Sequence, residues 1–334
     1  MSAQLLRQTL LQLIMLFLVS GVNAQSLVDA AEVSVPKYAL VIGNRDYRSY
    51  PGVSPAVNDA DLIAKQLRAL HFDVIVRTNA GYDDIVREVQ DLKKRAEQSA
   101  SQDVRPVAVV YFSGHGFVLS GRQFIAGVDA GKTRAKDPTY ESAAIEFMID
   151  QLAEESALIG LLDACRSDLA LDRKMAVNAA VPDDPSDGQA SSDVGLGSFR
   201  RPVVPKPREY LFGFANKFGV PVASGNNGDP NSPYTKTLSH FLGDDENIIE
   251  QLESVQDEMQ RVMPSFHPDV SLDMSRAIFL NYSDAVLARM REDWKEATRA
   301  PSDASMRKFV KKYGNSPLTY RALQWLRQSE STSK

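Results

Sequence analysis

The stretch VAVVYFSGHG at residues 107–116, together with LIGLLDACR at residues 158–166, decides the fold. Each is a strand-like apolar run, Val107 to Phe112 and Leu158 to Leu162, closed by a short polar motif. In a parallel sheet both motifs would leave at the same carboxyl edge, where open α/β folds collect their reactive groups. The motifs hold the only cysteine, Cys165, and one of four histidines, His115. A thiol and an imidazole distant in sequence but near in space are the signature of a cysteine nucleophile and its base.

Outward from these runs, the pattern alternates as a parallel sheet with crossover helices does. Tyr38 to Ile42 reads as a strand ending in Gly43-Asn44, followed from about Pro55 by a helix with Leu62, Ile63, Leu67 and Leu70 on its apolar face. Asp73 to Arg77 reads as a second strand and Asp83 to Gln98 as a helix, with Ile85, Val86, Val89 and Leu92 at helical spacing. Arg122 to Val128 suggests a short hairpin arm and Ile145 to Glu155 a helix. Arg166 to Arg208 is rich in Pro, Ser, Asp and Gly; it is too polar to offset its ordering entropy by burial and is expected to be a long mobile loop. Tyr210 to Ala215 and Val220 to Ala223 are strand candidates, Thr235 to Leu242 and Ile248 to Val262 are helical, and Ala277 to Leu280 is expected to be the last strand. Three more helical patterns follow, carrying Leu287, Met290 and Trp294, then Met306, Phe309 and Val310, then Leu323 and Leu326. They read as a small appendage, either half of a tetratricopeptide-like unit or a helical cap on the sheet.

The chain has 334 residues, a net charge of −5 and 43% hydrophobic residues, enough for one sizeable core plus an appendage and without the basic excess that nucleic acid binding needs. Arg7 precedes the apolar run Leu10 to Val19, and Val22-Asn23-Ala24 resembles a small-residue cleavage site. Residues 1–24 are therefore read as a secretory signal and 25–36 as a linker, so export is expected, to the periplasm or the medium. An uncleaved membrane anchor is the alternative, although the run falls short of the ~20 residues that span a bilayer. In an exported chain a lone cysteine cannot form an internal disulfide. Cys165 is then an intermolecular linker, a buried inert residue or a working thiol.

Six segments bear on that choice: Ala39-Leu40-Val41-Ile42-Gly43-Asn44 with Tyr47, Ala56-Val57-Asn58-Asp59-Ala60, Ser113-Gly114-His115-Gly116, Gly127-Val128-Asp129-Ala130, Asp163-Ala164-Cys165-Arg166, and Asn231-Ser232-Pro233-Tyr234-Thr235. In these, and in this order, the chain resembles the caspase-like cysteine peptidases of family C14, in their metacaspase and bacterial caspase-homologue branch, from Tyr38 to about Tyr282. The resemblance implies a caspase-haemoglobinase α/β fold: a mostly parallel central sheet flanked by helices over residues 37–282, interrupted by a loop insertion at 167–208. Residues 283–334 are left as the helical appendage. It implies a catalytic dyad of His115 and Cys165, with the backbone amides of Gly116 and Cys165 as oxyanion donors. A free thiol, with a pKa near ~8.5, needs such a base to attack rapidly at neutral pH.

Substrate choice turns on Asp163, where animal caspases place a glutamine. The carboxylate, as in metacaspases, implies Arg or Lys at the substrate's P1 position, on the carbonyl side of the scissile bond. Ser113 and Asp59 match two more positions of that pocket; for Asp59 the alternative is that Asn58 and Asp59 only favour a helix N-terminus. Arg166 is a candidate structural ion-pair partner. Gly213 to Gly219 departs from the family's usual run beside the substrate groove. The long insertion offers Arg173, Lys174, Arg200 and Arg201 as self-cleavage points for a peptidase of basic specificity. Some relatives require calcium, but Asp244-Asp245-Glu246 and Asp183-Asp184 read as solvated turns, and no metal or other cofactor is expected.

Competing functions find less support. Gly225 to Gly228 lacks the Lys-Ser/Thr of a phosphate-binding loop, and no His-Glu-x-x-His occurs for zinc. His71, His240 and His267 lack motif context. A catalytically silent scaffold is the remaining alternative, against which stands the presence of both Cys165 and His115. The expected partners are protein or peptide substrates with Arg or Lys at P1 and a protein bound by the C-terminal helices; the chain itself is expected to be a monomer.

Overall fold

The computed structural model describes residues 35–100, 104–132, 140–168, 208–217 and 228–332. The strand candidate Val220 to Ala223, the N-terminal signal and most of the insertion after Cys165 lie outside these residues.

Four apolar runs become the centre of the molecule because each is hydrophobic on both faces, as strands of a covered parallel sheet must be. They are β1 (Lys37–Gly43), β3 (Val107–Gly114), β7 (Ala157–Ala164) and β9 (Tyr210–Phe214). With β2 (Asp73–Thr78) and β10 (Asp269–Asp273) they form a six-stranded sheet in the order β10-β9-β7-β3-β1-β2. All neighbours are parallel except β9 and β10. A second, four-stranded sheet orders β6 (Ser142–Ala144), β5 (Arg122–Ala126), β4 (Gly116–Leu119) and β8 (Ser167–Asp168). The expected hairpin arm is thus β5, paired antiparallel with both β4 and β6.

Alternation along each strand divides the core. Ala39, Val41, Val109 and Tyr111 point to one face, where they meet Ile63 and Leu67 of α1 (Ala56–Ala69), Leu238 of α4 (Pro233–Phe241) and Leu252, Val255 and Met259 of α5 (Ile248–Val262). Leu40, Ile42, Val110 and Phe112 point to the other, against Ile85, Val89 and Leu92 of α2 (Tyr82–Ser99) and Met148 and Leu152 of α3 (Ile145–Leu152). The helix expected to reach Glu155 therefore stops at Leu152.

The C-terminal appendage is α6 (Asp284–Arg299), α7 (Asp303–Lys312) and α8 (Pro317–Thr332). Ser283 and Ser302 cap the first two, accepting from Val286 N and Ser305 N. Trp294, Met306, Phe309 and Leu326 give the three helices their own apolar cluster.

One expectation is corrected here. Ala277 to Leu280 is irregular, not a strand, and the terminal strand of the sheet is β10. Backbone groups of the irregular segment are already committed: Ala277 N–H donates to Lys311 O and Gly314 N–H to Ala277 O, both at 2.9 Å, while Ile248 N–H donates to Ile278 O at 2.8 Å. Asn315 completes the seam, donating to Phe279 O at 2.9 Å and accepting from Phe279 N at 3.0 Å. The segment ties the appendage to the sheet instead of extending it.

Candidate active site

Register brings the two polar motifs together. Strands β3 and β7 pair Ser113 with Asp163 and Gly114 with Ala164, so His115 and Cys165 follow one step beyond the last pair, on adjacent strands at the carboxyl edge. The chain after β1 arrives at the same edge, with Asn44 N–H donating to Ser113 O at 2.9 Å. A cavity of about 230 Å³ opens there, lined among others by Asp59, Ser113, His115, Asp163, Cys165 and Ser232. Of the residues singled out from sequence, five share this cavity. Gly116 stands beside it as the first residue of β4, and Arg173, Lys174, Arg200 and Arg201 lie outside the described residues.

The orientation of His115 follows from its partner. Its Nε2 lies 2.8 Å from the carbonyl oxygen of Pro51. A carbonyl only accepts, so Nε2 carries the hydrogen and, in the neutral ring, Nδ1 keeps the lone pair for an incoming proton. Cys165 is partly exposed, as a nucleophile must be, and its carbonyl accepts from Gln123 Nε2 at 3.3 Å. Gly116 permits this closeness: a Cβ there would sit 2.9 Å from both Ala164 Cβ and Cys165 O. On the far side of the cysteine, Arg166 pairs with Asp269 of β10 at 2.7 Å and stacks over the Phe214 ring at 3.9 Å. The ion pair for which Arg166 is a candidate, and which the sequence leaves undecided, is thus formed with Asp269.

The cavity floor is acidic. Asp59 and Asp163 are both buried. Asp59 stands in the first turn of α1, but helix geometry does not account for its contacts. Its Oδ1 accepts from Asn231 Nδ2 at 3.0 Å and Ser232 N–H at 2.9 Å, and its Oδ2 from Ser113 Oγ at 3.1 Å. Asp163 Oδ2 accepts from Ser232 Oγ and, at 2.7 Å, from Thr235 Oγ1. Burial, then the neighbouring Asp163 charge, pushes the Asp59 carboxyl up to about 7, and burial also raises Asp163. Neither Lys nor Arg lines the cavity among the described residues.

Sequence reasoning assigned no role to Asn231, Ser232 and Thr235, which supply most donors to the two carboxylates. They were visible only as a motif, and nothing in their spacing shows that they meet Asp59 and Asp163. Pro51 carried no signal, since it acts through its backbone carbonyl. Asp244, Asp245 and Glu246 are exposed bend residues, with Gln251 Nε2 donating to the carbonyls of Asp244 and Glu246. Among the described residues no group of three or more His, Cys, Asp or Glu side chains could hold a metal ion, and no helix is long and apolar enough to cross a membrane.

No curated protein matches the chain in a search of such proteins. A family model, the caspase domain of the C14 peptidases, matches residues 36–276, which span the six-stranded sheet, both polar motifs and every residue of the cavity. By that match the chain belongs to the caspase domain family of cysteine peptidases, and its mixed, mostly parallel sheet with flanking helices is the caspase-haemoglobinase fold.

Proposed function

We propose that this protein is an endopeptidase of the metacaspase type, cleaving after Arg or Lys through Cys165 and His115. The observation that carries the specificity is the pair of buried carboxylates, Asp59 and Asp163, without a Lys or Arg counter-charge among the described residues of the cavity that also holds the thiol and the imidazole. Two acids in low dielectric destabilise one another, and a guanidinium or ammonium entering from a substrate relieves that repulsion while meeting charge-assisted acceptors. Ser113, Ser232 and Thr235 bind the two carboxyl groups through hydroxyls, which bring no counter-charge to them.

With P1 anchored there, the scissile carbonyl lies beside Cys165. His115 Nδ1 takes the thiol proton as the sulfur attacks, and the backbone amides of Gly116 and Cys165 receive the oxyanion. The imidazolium then gives its proton to the departing amine, leaving an acyl-enzyme. Water, deprotonated by the same Nδ1, hydrolyses the thioester and restores the thiol.

The reading extends to Arg173, Lys174, Arg200 and Arg201 as self-cleavage points, to export after removal of residues 1–24, to activity without a metal or other cofactor, to a monomeric chain and to α6–α8 as a docking element for a protein partner. Intact mass during long incubation tests self-cleavage: wild type loses the full-length species and Cys165→Ala keeps it. The main test is hydrolysis of fluorogenic peptides matched except at P1. Cleavage after Arg and Lys, absent after Asp and lost in Cys165→Ala, is expected; cleavage that survives in Cys165→Ala, or a preference for Asp, overturns the proposal.

A further inference from the structure

Tyr47, which the chemistry above does not use, meets His115 in two ways. Its hydroxyl accepts the His115 backbone N–H at 2.8 Å and donates to Ala126 O at 3.3 Å, while its ring lies tilted against the imidazole with centroids 4.5 Å apart. Burial pushes the phenol well above its ordinary pKa, so it stays neutral and serves as donor and acceptor together. Gly114 makes the approach feasible, since a Cβ there would lie 2.5 Å from the Tyr47 hydroxyl. The same loop, between β1 and α1, carries Pro51 and its bond to Nε2. One loop therefore grips His115 at the backbone, the ring face and a ring nitrogen.

That loop is itself fastened from the end of β2. Asn79 adopts a left-handed backbone with φ 54°, and its Oδ1 accepts the N–H groups of Arg45 and Asp46, each at 2.9 Å. Its Nδ2 donates to Asp46 Oδ2 at 2.8 Å, and its own N–H donates to Gly43 O at 3.0 Å. Arg48 N–H reaches Val128 O at 2.9 Å and Val53 N–H reaches Arg45 O at 3.0 Å. We propose that Tyr47 is a positioning residue for His115 and that Asn79 is the clamp that holds the loop on which Tyr47 and Pro51 act. This rests on the reading of His115 as the base for Cys165.

Without the hydroxyl, the His115 N–H loses its partner and the ring loses a fixed direction for Nδ1. A small misplacement of a reacting group is costly, on the order of 10²-fold per ångström in unfavourable cases. The test uses the full chain and the pH dependence of Cys165 alkylation by iodoacetamide, which is unambiguous because there is one cysteine. It is read beside kcat and KM on an Arg peptide. Tyr47→Phe keeps the ring; the expected result is about tenfold slower alkylation at pH 7, a midpoint moved towards the ~8.5 of a free thiol, and lower kcat at unchanged KM. Asn79→Asp is expected to do the same, because it replaces the amide that donates to Asp46 Oδ2 at 2.8 Å with a second carboxylate facing that one. Adding Asp46→Asn exchanges donor and acceptor and should restore both readouts.

Wild-type alkylation profiles and kcat in Tyr47→Phe and Asn79→Asp, with lowered melting temperatures alone, would overturn the proposal by reducing both residues to structural supports. A wild-type protein whose thiol already titrates as a free thiol would overturn the dyad itself, and the positioning role with it.

Discussion

Replacing Asp59 with Asn should flatten the pH dependence of folding stability. In the folded chain the three hydrogen bonds to its carboxylate favour the charged form, but burial and the Asp163 charge outweigh them and raise the carboxyl from 3.8 to about 7. Between these values the native state holds a proton that the unfolded chain has released, so stability falls as pH rises through this window and levels off above it. One such proton is worth about 1.4 kcal/mol per pH unit, which accumulates to roughly 4 kcal/mol from pH 4 to pH 7. The variant cannot take up that proton, while Asp163, also raised by burial, keeps its own contribution. Urea unfolding from pH 4.5 to 8 at constant ionic strength, in a Cys165→Ala background to prevent self-cleavage, measures the difference. Between pH 4.5 and 7 wild-type stability should fall more steeply than the variant's by about one proton's worth, and the two slopes should converge above pH 7. Equal slopes, or a wild-type stability that climbs with pH across the window, would refute the assignment of a raised carboxyl to Asp59.

Asp163→Asn should lower kcat/KM for Arg peptides by about 10- to 100-fold, the worth of a charge-assisted hydrogen bond, while leaving a matched citrulline peptide nearly unchanged. Gly116→Ala should cost about 100-fold in activity, because the new Cβ meets Cys165 O and Ala164 Cβ at 2.9 Å and Phe124 O at 3.0 Å; circular dichroism should show the fold retained. Asn315→Ala removes a buried amide that bonds both backbone groups of Phe279 and accepts from Tyr282 Oη at 2.7 Å, and should destabilise by roughly 2–3 kcal/mol without changing kcat per folded molecule.

What the sequence made legible, it made legible through unbroken apolar runs. Strands buried on both faces, such as 107–112, and helices with a clear apolar stripe, such as 83–98, need only local pattern to be recognised. Strand β10 did not declare itself because Asp269, Ser271 and Asp273 alternate with residues that stay solvent-accessible; Leu272 is 45% exposed on this sheet edge. Ala277 to Leu280 looked like a strand because it is apolar, but its backbone partners belong to residues thirty or more positions away. The same limit applies at the site. His115, Cys165 and Asp163 end strands and announce themselves by type, whereas Ser232 reaches both acids only once α4 has docked on the sheet. The signal reading at 1–24 and the self-cleavage points lie outside the described residues and stand as proposals.

The most direct test of the central claim is covalent capture. Full-length protein and its Asp163→Asn and Cys165→Ala variants would be treated with an Arg-ending and an Asp-ending peptidyl acyloxymethyl ketone, then measured by intact mass and peptide mapping. The account predicts one adduct, on Cys165, formed rapidly with the Arg reagent, slowly in Asp163→Asn and not at all in Cys165→Ala. Equal labelling by both reagents, or labelling that survives loss of Cys165, would contradict it.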